Sequence, residues 1–490
     1  MLSSWLKMVG MAANPSKSKL VVFSSANIDN HAWLSPDSQS WYRCLVLDGF
    51  NLELTTEYEY LGVTLQCQLK WEPQLTKVIK KASNVSAMLC RLFIRQDQQP
   101  HPLAVVKLVK ALIYPVIEYG IEFWYNLTPS QSSANAVDHL NATILRPIRK
   151  AFNIQLNSHR LGLLVDCGLA SIHDIAIKAM YRYYIKYASS HIHSQPEVIK
   201  LAGHPAKLHA LKPPKNVHPA TLRVLQDAFF SDNMKKKSLA KIERWSNVSC
   251  RARFVIEPHF NHLLEQAKTD PTLRNLPCVK HHVTIPPLPD TPPSLNQFPS
   301  INHAHLAQVA QLATFNQWKA QFKITNPNHI RGTQAPLTTI KTSPGIACLL
   351  KYITNRRVIQ ILMRLRHGRA FTQDARHRFQ TARRPVADMF CKHPPCQAAR
   401  TPDSATHLLT QCPAHAQIKQ QLFDSWKQLK IGRHITDVTH LKLKLLLGEP
   451  PRNPSPTTHK QLIEWYEHLS NFYIHLCKNL PTSEECPVPL

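Results

Sequence analysis

Three cysteines and one histidine near the C-terminal end, Cys391, Cys396, His407 and Cys412, have the types and spacing of a zinc site. Four residues separate Cys391 from Cys396, ten separate Cys396 from His407, and four separate His407 from Cys412. Each short pair suits a turn or a helix end, and the longer loop lets the pairs meet. Three thiolates and an imidazole can then close a tetrahedron around one Zn²⁺. Four protein ligands leave no coordination position for water, so the expected metal is structural rather than catalytic. His393 and His415 stand close enough in sequence to be alternative ligands. The competing reading is a set of unpaired cysteines in a proline-containing turn; the ligand types and both short spacings favour zinc.

Other chemistry is thinly represented. Twelve glycines against 37 prolines, with neither a P-loop nor a dinucleotide fingerprint, exclude a glycine-dependent phosphate fold. No adjacent Asp-Asp pair and no clustered carboxylate motif occurs among the 31 acidic residues, which leaves a nuclease unsupported. The nine cysteines outside the zinc stretch are scattered singly, as buried thiols of a reducing compartment are.

Charge says more about partners. Lys and Arg number 59 against those 31 acids, a formal net charge of +28, which points to a polyanion and first to nucleic acid. Residues 351–400 are the densest stretch, with twelve Lys/Arg against Asp374 and Asp388, and they lead directly into the zinc stretch. No run approaches the roughly 20 uncharged apolar residues that span a bilayer. Met1-Leu-Ser-Ser-Trp-Leu-Lys-Met lacks the pattern of a secretory signal, so an intracellular place, nuclear or cytoplasmic, is expected, with no membrane partner.

The elements that must position these residues follow from periodicity. A short helix at 2–9, an Asn14-Pro15 turn and a strand Leu20–Phe23 open the chain. Cys44–Leu47 and Asn51–Leu54 flank Asp48-Gly49 as a hairpin, and Tyr58–Leu65 supplies further strand. From Trp71 the period changes: Trp71, Leu75, Val78, Ala82, Val85, Leu89 and Leu92 form the stripe of a packed helix, with Lys77, Lys80 and Lys81 off it. Helices over Leu103–Trp124 and Val137–Phe152 contain Pro115 and Pro147, and each is expected to divide in two there. Leu161–Tyr187 is helical with a break at Asp166-Cys-Gly168. A Pro-rich connector spans 257–300, and helices are expected at 302–323, at 346–368, around Ile418–Leu429 and around Leu462–Leu476. The fold class is α+β at the N-terminus, then predominantly α-helical with a small zinc knuckle.

Together these segments resemble the C-terminal part of a reverse transcriptase from a non-LTR (LINE-type) retrotransposon. Asn14-Pro-Ser-Lys17-Ser-Lys with Val-Val-Phe23 resembles the lysine-bearing motif D, and Tyr60-Leu61-Gly62-Val-Thr-Leu65 resembles motif E, the primer-grip hairpin. Leu69-Lys-Trp71 with Lys80-Lys-Ala82 is similar to the first thumb helix, and Pro115-Val-Ile-Glu-Tyr-Gly120 with Trp124 to a later one. Thr406-His-Leu-Leu and Cys412-Pro413 place the zinc element beside the C-terminal knuckle of that family. Gln74 stands where the family usually has histidine.

The resemblance, which covers about 1–190 and 350–420, implies a partial palm at 1–70, a thumb-like bundle at 71–155 and the knuckle at 386–415, while composition and periodicity add a helical extension at 156–256, the linker at 257–300, a basic helical region at 301–385 and C-terminal helices at 416–478. It also implies template and primer contacts. Lys77, Lys80, Lys81, Arg383, Arg384 and Lys392 would meet RNA or DNA phosphates, and Tyr60, Leu61 and Gly62 would lie by a primer end. The family's Asp-Asp pair, which holds Mg²⁺, is missing, so Mg²⁺ belongs to a full-length parent enzyme and Lys17 would have a catalytic role only beside a supplied palm. The expected function is a truncated, inactive polymerase that binds nucleic acid. A domesticated zinc-binding adaptor holding a protein partner is the alternative.

Overall fold

The computed structural model describes residues 8–10, 14, 17–21, 46–47, 50–68, 70–93, 99–125, 131–154, 159–191, 257–271, 273–280, 303–324, 341, 343–367, 391, 393–400, 407–429, 445–449 and 459–478. Within them the chain is mostly helical, with a small strand region near the N-terminus.

The strands are β1 (Lys19–Leu20), β2 (Val46–Leu47), β3 (Phe50–Asn51), β4 (Glu53–Leu54), β5 (Glu57–Tyr60) and β6 (Val63–Gln66), joined as three two-stranded pairs. β2 and β3 pair antiparallel, with Leu47 opposite Phe50, as the expected hairpin requires, while Asp48 and Gly49 lie outside the described residues. Glu53 and Leu54, expected to continue that hairpin, instead pair in parallel with Lys19 and Leu20 of β1. Phe23 and most of the helix expected at 2–9 lie outside the described residues.

β5 and β6 form a tight antiparallel hairpin in which Tyr60 faces Val63, so Leu61-Gly62 is a two-residue turn. Both turn residues have positive φ, 46° at Leu61 and 80° at Gly62, the geometry whose twist matches paired strands. Gly62 adopts it without strain, whereas a left-handed Leu61 costs about 1–2 kcal/mol.

Helix α1 (Glu72–Arg91) buries Leu75, Val78, Ala82 and Leu89 as its period requires. Leu92, placed on the same stripe, is the terminal cap and is largely exposed. α2 (Pro102–Leu108) runs through a π-helical turn, Val109–Ile113, into α3 (Tyr114–Glu118). The expected break at Pro115 does not occur. The wide turn, in which the Tyr114 N–H reaches back to the Val109 carbonyl, relieves the ring's clash with the preceding turn. The chain breaks instead at Gly120, whose φ is 64°, and resumes as α4 (Ile121–Trp124).

α5 (Gln131–Phe152) likewise continues through Pro147. Pro147 deprives the Thr143 carbonyl of its helical donor, and the Ser86 hydroxyl of α1 supplies a substitute at 2.9 Å. The expected division is thus removed by a bond from another helix.

α6 (Arg160–Asp166) and α7 (Ile172–His191) flank the expected break. Ser171 caps α7: its hydroxyl donates to Asp174 at 2.6 Å and accepts from the Asp174 N–H at 3.2 Å. α8 (Glu257–Thr269) and α9 (Pro277–Lys280) fall within the stretch read as a connector, yet Leu263, Leu264, Ala267 and Val279 are buried in the core. Residues 281–300 lie outside the described set. α10 (His303–Ile324) packs on α6 and α7, α11 (Leu349–Tyr352) and α12 (Arg356–Arg366) are separated by the Asn355 cap, and α13 (Pro394–Ala398) leads to α14 (Ala416–Gln428) and α15 (His459–Lys478). One continuous apolar core extends from Leu75 in α1 to Leu476 in α15, so the helices from α1 onward and the C-terminal helices share it.

Candidate metal centre

Local geometry explains how the four ligands converge. Pro394 and Pro395 occupy the first turn of α13, where a missing N–H costs nothing, and they set Cys396 at the inner side of that turn. The Cys396 and Gln397 N–H groups both donate to the His393 carbonyl, at 2.9 and 2.8 Å. The second pair needs a different device. In an α-helix, residues five apart point about 140° away from each other. His407–Gln411 is a π-helical turn, closed by the Cys412 N–H on the His407 carbonyl at 2.7 Å, and it brings His407 and Cys412 to one side.

The ligand atoms of Cys391, Cys396, His407 and Cys412 all lie within 4.8 Å of one another, and all four residues are buried. Cys391 and Cys412 place their sulfurs 3.9 Å apart. Tetrahedral zinc with its usual Zn–S distance separates two sulfurs by about 3.8 Å, so this donor set fits the ion in type, number and spacing. The structure therefore favours His407 as the fourth ligand. His393 sits at the edge, its Nδ1 3.9 Å from the Cys396 sulfur, and His415 is buried nearby. Burial, then Lys419 and His393, holds the His415 imidazole below its ordinary value. Burial pushes the Cys412 thiol up, which a bound dication would reverse.

The centre is anchored through α14. Trp426 of α14 meets Trp465 of α15 with ring centroids 5.1 Å apart, Trp465 meets Tyr466 edge-on at 4.5 Å, and Tyr466 stacks on Tyr352 at 5.1 Å. The metal element is thereby keyed to the main core.

The hairpin residues are also brought to one place. Lys77 is held by the hairpin, pairing with Glu59 at 2.7 Å and donating to the Gly62 carbonyl at 3.3 Å. Lys80 and Lys81, one helical turn on, are exposed. The buried Gln74 accepts the Thr64 N–H at 2.9 Å, which fastens β6 to α1. Tyr119 donates to the Leu61 carbonyl at 2.5 Å from the other side. Tyr60 and Leu61 project outward, 58% and 73% exposed. Lys17 is exposed, and its carbonyl accepts the Tyr58 hydroxyl at 2.8 Å, so this residue lies against the same hairpin. Arg383, Arg384 and Lys392 lie outside the described residues.

A second polar cluster went unnoticed in the sequence. Asp166, at the end of α6, receives two bonds from Arg366 of α12, Nε at 2.8 Å and an outer nitrogen at 2.5 Å. Arg366 also donates to the Leu447 carbonyl and to Glu449, both at 2.7 Å, while Lys341 and His367 approach Asp166 at 3.9 and 3.3 Å. Burial by itself would raise the Asp166 carboxyl, but Arg366, His367 and Lys341 hold it well below the usual range. Gly168, φ 60°, permits the backbone at Gly345–Ile346 to pass close by: a Cβ there would stand 2.5 Å from the Ile346 nitrogen. The signal was present in α12, where Ile359, Leu362 and Met363 put Arg366 on the apolar face, a place for charge only when a partner is supplied.

These features define a mostly α-helical protein with a small β region and a buried Cys₃His cluster able to hold a metal ion. No protein family, curated protein or solved structure matches the chain. Among the described residues no helix is long and apolar enough to cross a membrane.

Proposed function

We propose that this chain is a nucleic-acid-binding portion of a non-LTR retrotransposon reverse transcriptase, with Zn²⁺ in the Cys₃His centre and RNA or DNA as partner. The observation that carries the reading is the hairpin Glu57–Gln66, fastened to α1 by Gln74 and Lys77 and to Tyr119, with Tyr60 and Leu61 presented outward and Lys80 and Lys81 exposed one helical turn beyond Lys77. A strained, exposed turn residue held on a rigid support is better suited to contact than to stability. Lys80 and Lys81 supply phosphate contacts, and Tyr60 supplies a face on which a base or sugar can rest.

Zn²⁺ in the centre would be held by Cys391, Cys396, His407 and Cys412 and would contribute folding free energy. The chain's own residues do the rest: α13 and the π-helical turn orient the ligands, and the ladder from Trp426 to Tyr352 transmits that order to the core. Polymerisation is no part of the proposal, because the 490 residues contain no Asp-Asp pair to hold Mg²⁺.

The test is fluorescence anisotropy of labelled single-stranded RNA, single-stranded DNA and an RNA–DNA duplex, titrated at several salt concentrations. Binding at about 50 mM salt that weakens steeply towards 200 mM is expected, with a shallower slope for Lys80→Glu/Lys81→Glu. No affinity for any of the three at low salt sinks the reading and favours a zinc-containing adaptor for a protein partner.

A further inference from the structure

We propose that Lys419 is the counter-charge of the metal centre, the residue that allows a buried set of three thiolates and one imidazole to carry a divalent ion. This rests on the metal-centre reading above. Three thiolates, a neutral imidazole and Zn²⁺ sum to one net negative charge. The site that holds it is closed to water, with Cys412 1% exposed and Cys396 5%. An uncompensated charge in such surroundings is strongly disfavoured.

Lys419 meets the need geometrically. It stands in the first turn of α14, seven residues beyond Cys412, and is itself only 7% exposed. Its Nζ donates to the Cys412 carbonyl at 2.8 Å. One neutral carbonyl is a poor reason to bury a whole ammonium, which carries three donors and a full charge. Burial acts to hold the Lys419 ammonium below its ordinary value, and the sulfurs of Cys412 and Cys396 act in the opposite direction. The loaded cluster and Lys419 are therefore mutually stabilising. Lys419 also draws electron density from the metal-bound sulfurs and makes them poorer nucleophiles, as befits a structural centre.

The experiment compares the full chain with Lys419→Met, which keeps an apolar stem, and Lys419→Arg, which keeps the charge. Zinc affinity, measured by competition with a chromophoric chelator, is expected to fall about tenfold or more in Lys419→Met and to stay within about threefold in Lys419→Arg. Iodoacetamide should alkylate the zinc-loaded sulfurs faster in Lys419→Met. In a Cys396→His background the loaded cluster carries no net charge, and there Lys419→Met should cost no more than about threefold. A loss of equal size in both backgrounds, or unchanged affinity in Lys419→Met, overturns the proposal and leaves the zinc reading standing. A wild-type chain that takes up no zinc overturns both. Should Lys419→Met not fold, Lys419→Gln against Lys419→Arg carries the comparison, and equal affinities in those two overturn the proposal.

Discussion

Asp166 and Arg366, 200 positions apart in sequence, form a fully buried bidentate ion pair that joins the end of α6 to the end of α12. Arg366 extends the contact to Leu447 and Glu449, so three distant segments meet on one guanidinium. Removing one partner leaves the other charge buried, and Arg366→Met is expected to cost about 3–5 kcal/mol. The midpoint of urea unfolding should drop accordingly. Asp166→Leu/Arg366→Met should cost less than the two single changes added together; simple additivity would show that the groups are not coupled.

Zinc removal provides a second prediction. Chelation of the purified chain, or Cys412→Ser, should abolish uptake of about one zinc per chain and lower the unfolding temperature, since a structural metal contributes directly to folding. Because Trp426 and Trp465 lie in the ladder that anchors the centre, tryptophan fluorescence should change on chelation. Unaltered stability together with well under one zinc per chain would remove the metal from this account.

Ser86 and Thr143 supply a third. The Ser86 hydroxyl repairs the acceptor exposed by Pro147 in a place with no access to water. Ser86→Ala leaves that buried carbonyl without its donor and should destabilise by about 1–3 kcal/mol. Pro147→Ala restores the helical donor, so Ser86→Ala made in that background should cost measurably less. Equal costs in the two backgrounds would refute the link.

A pH dependence follows from His173. Burial lowers its imidazole from the ordinary 6.5 to about 4, and its Nδ1 lies 3.0 Å from the Tyr125 hydroxyl. Between those two values the unfolded chain binds the proton and the folded chain does not. The stabilisation is therefore complete above about pH 6.5 and is lost as the pH falls towards 4, with a magnitude of about 1–3 kcal/mol. Unfolding free energy measured from pH 7.5 to 4.5 should fall with this slope, and His173→Gln should flatten it.

Much of the site was legible because its signals are local. The ligand spacing of Cys391, Cys396, His407 and Cys412 announces a metal without reference to any other part of the chain. The stripe Leu75, Val78, Ala82, Leu89 is set by the helical repeat, and the strand character of Tyr58–Leu65 by its residue types, whereas the turn at Leu61-Gly62 within that stretch came from the structure. The choice among His393, His407 and His415 was not legible, since all three lie within reach in sequence. A π-helical turn at His407–Gln411 decides it, and that turn depends on how the segment docks.

The proline expectations failed for an instructive reason. Pro115 and Pro147 each remove one backbone donor, and sequence reasoning takes that loss as final. A π-helical turn relieves the first, and Ser86, on another helix, replaces the donor lost at the second. Lys77 behaves similarly: on the helix surface it reads as a phosphate contact, yet the hairpin engages its charge.

What the sequence by itself determined, then, is whatever rests on neighbours along the chain: the helical stripes, the hairpin signal at Asp48-Gly49, the three cysteine ligands, and the basic character that points to a polyanion. What only the tertiary structure decided rests on partners far apart: Asp166 with Arg366, Ser86 with Thr143, α8 and α9 within the core, and Lys419 beside the Cys412 carbonyl. The physical reason is that a buried charge or an orphaned carbonyl states a need without naming its partner, and the partner is chosen when helices distant in sequence pack together.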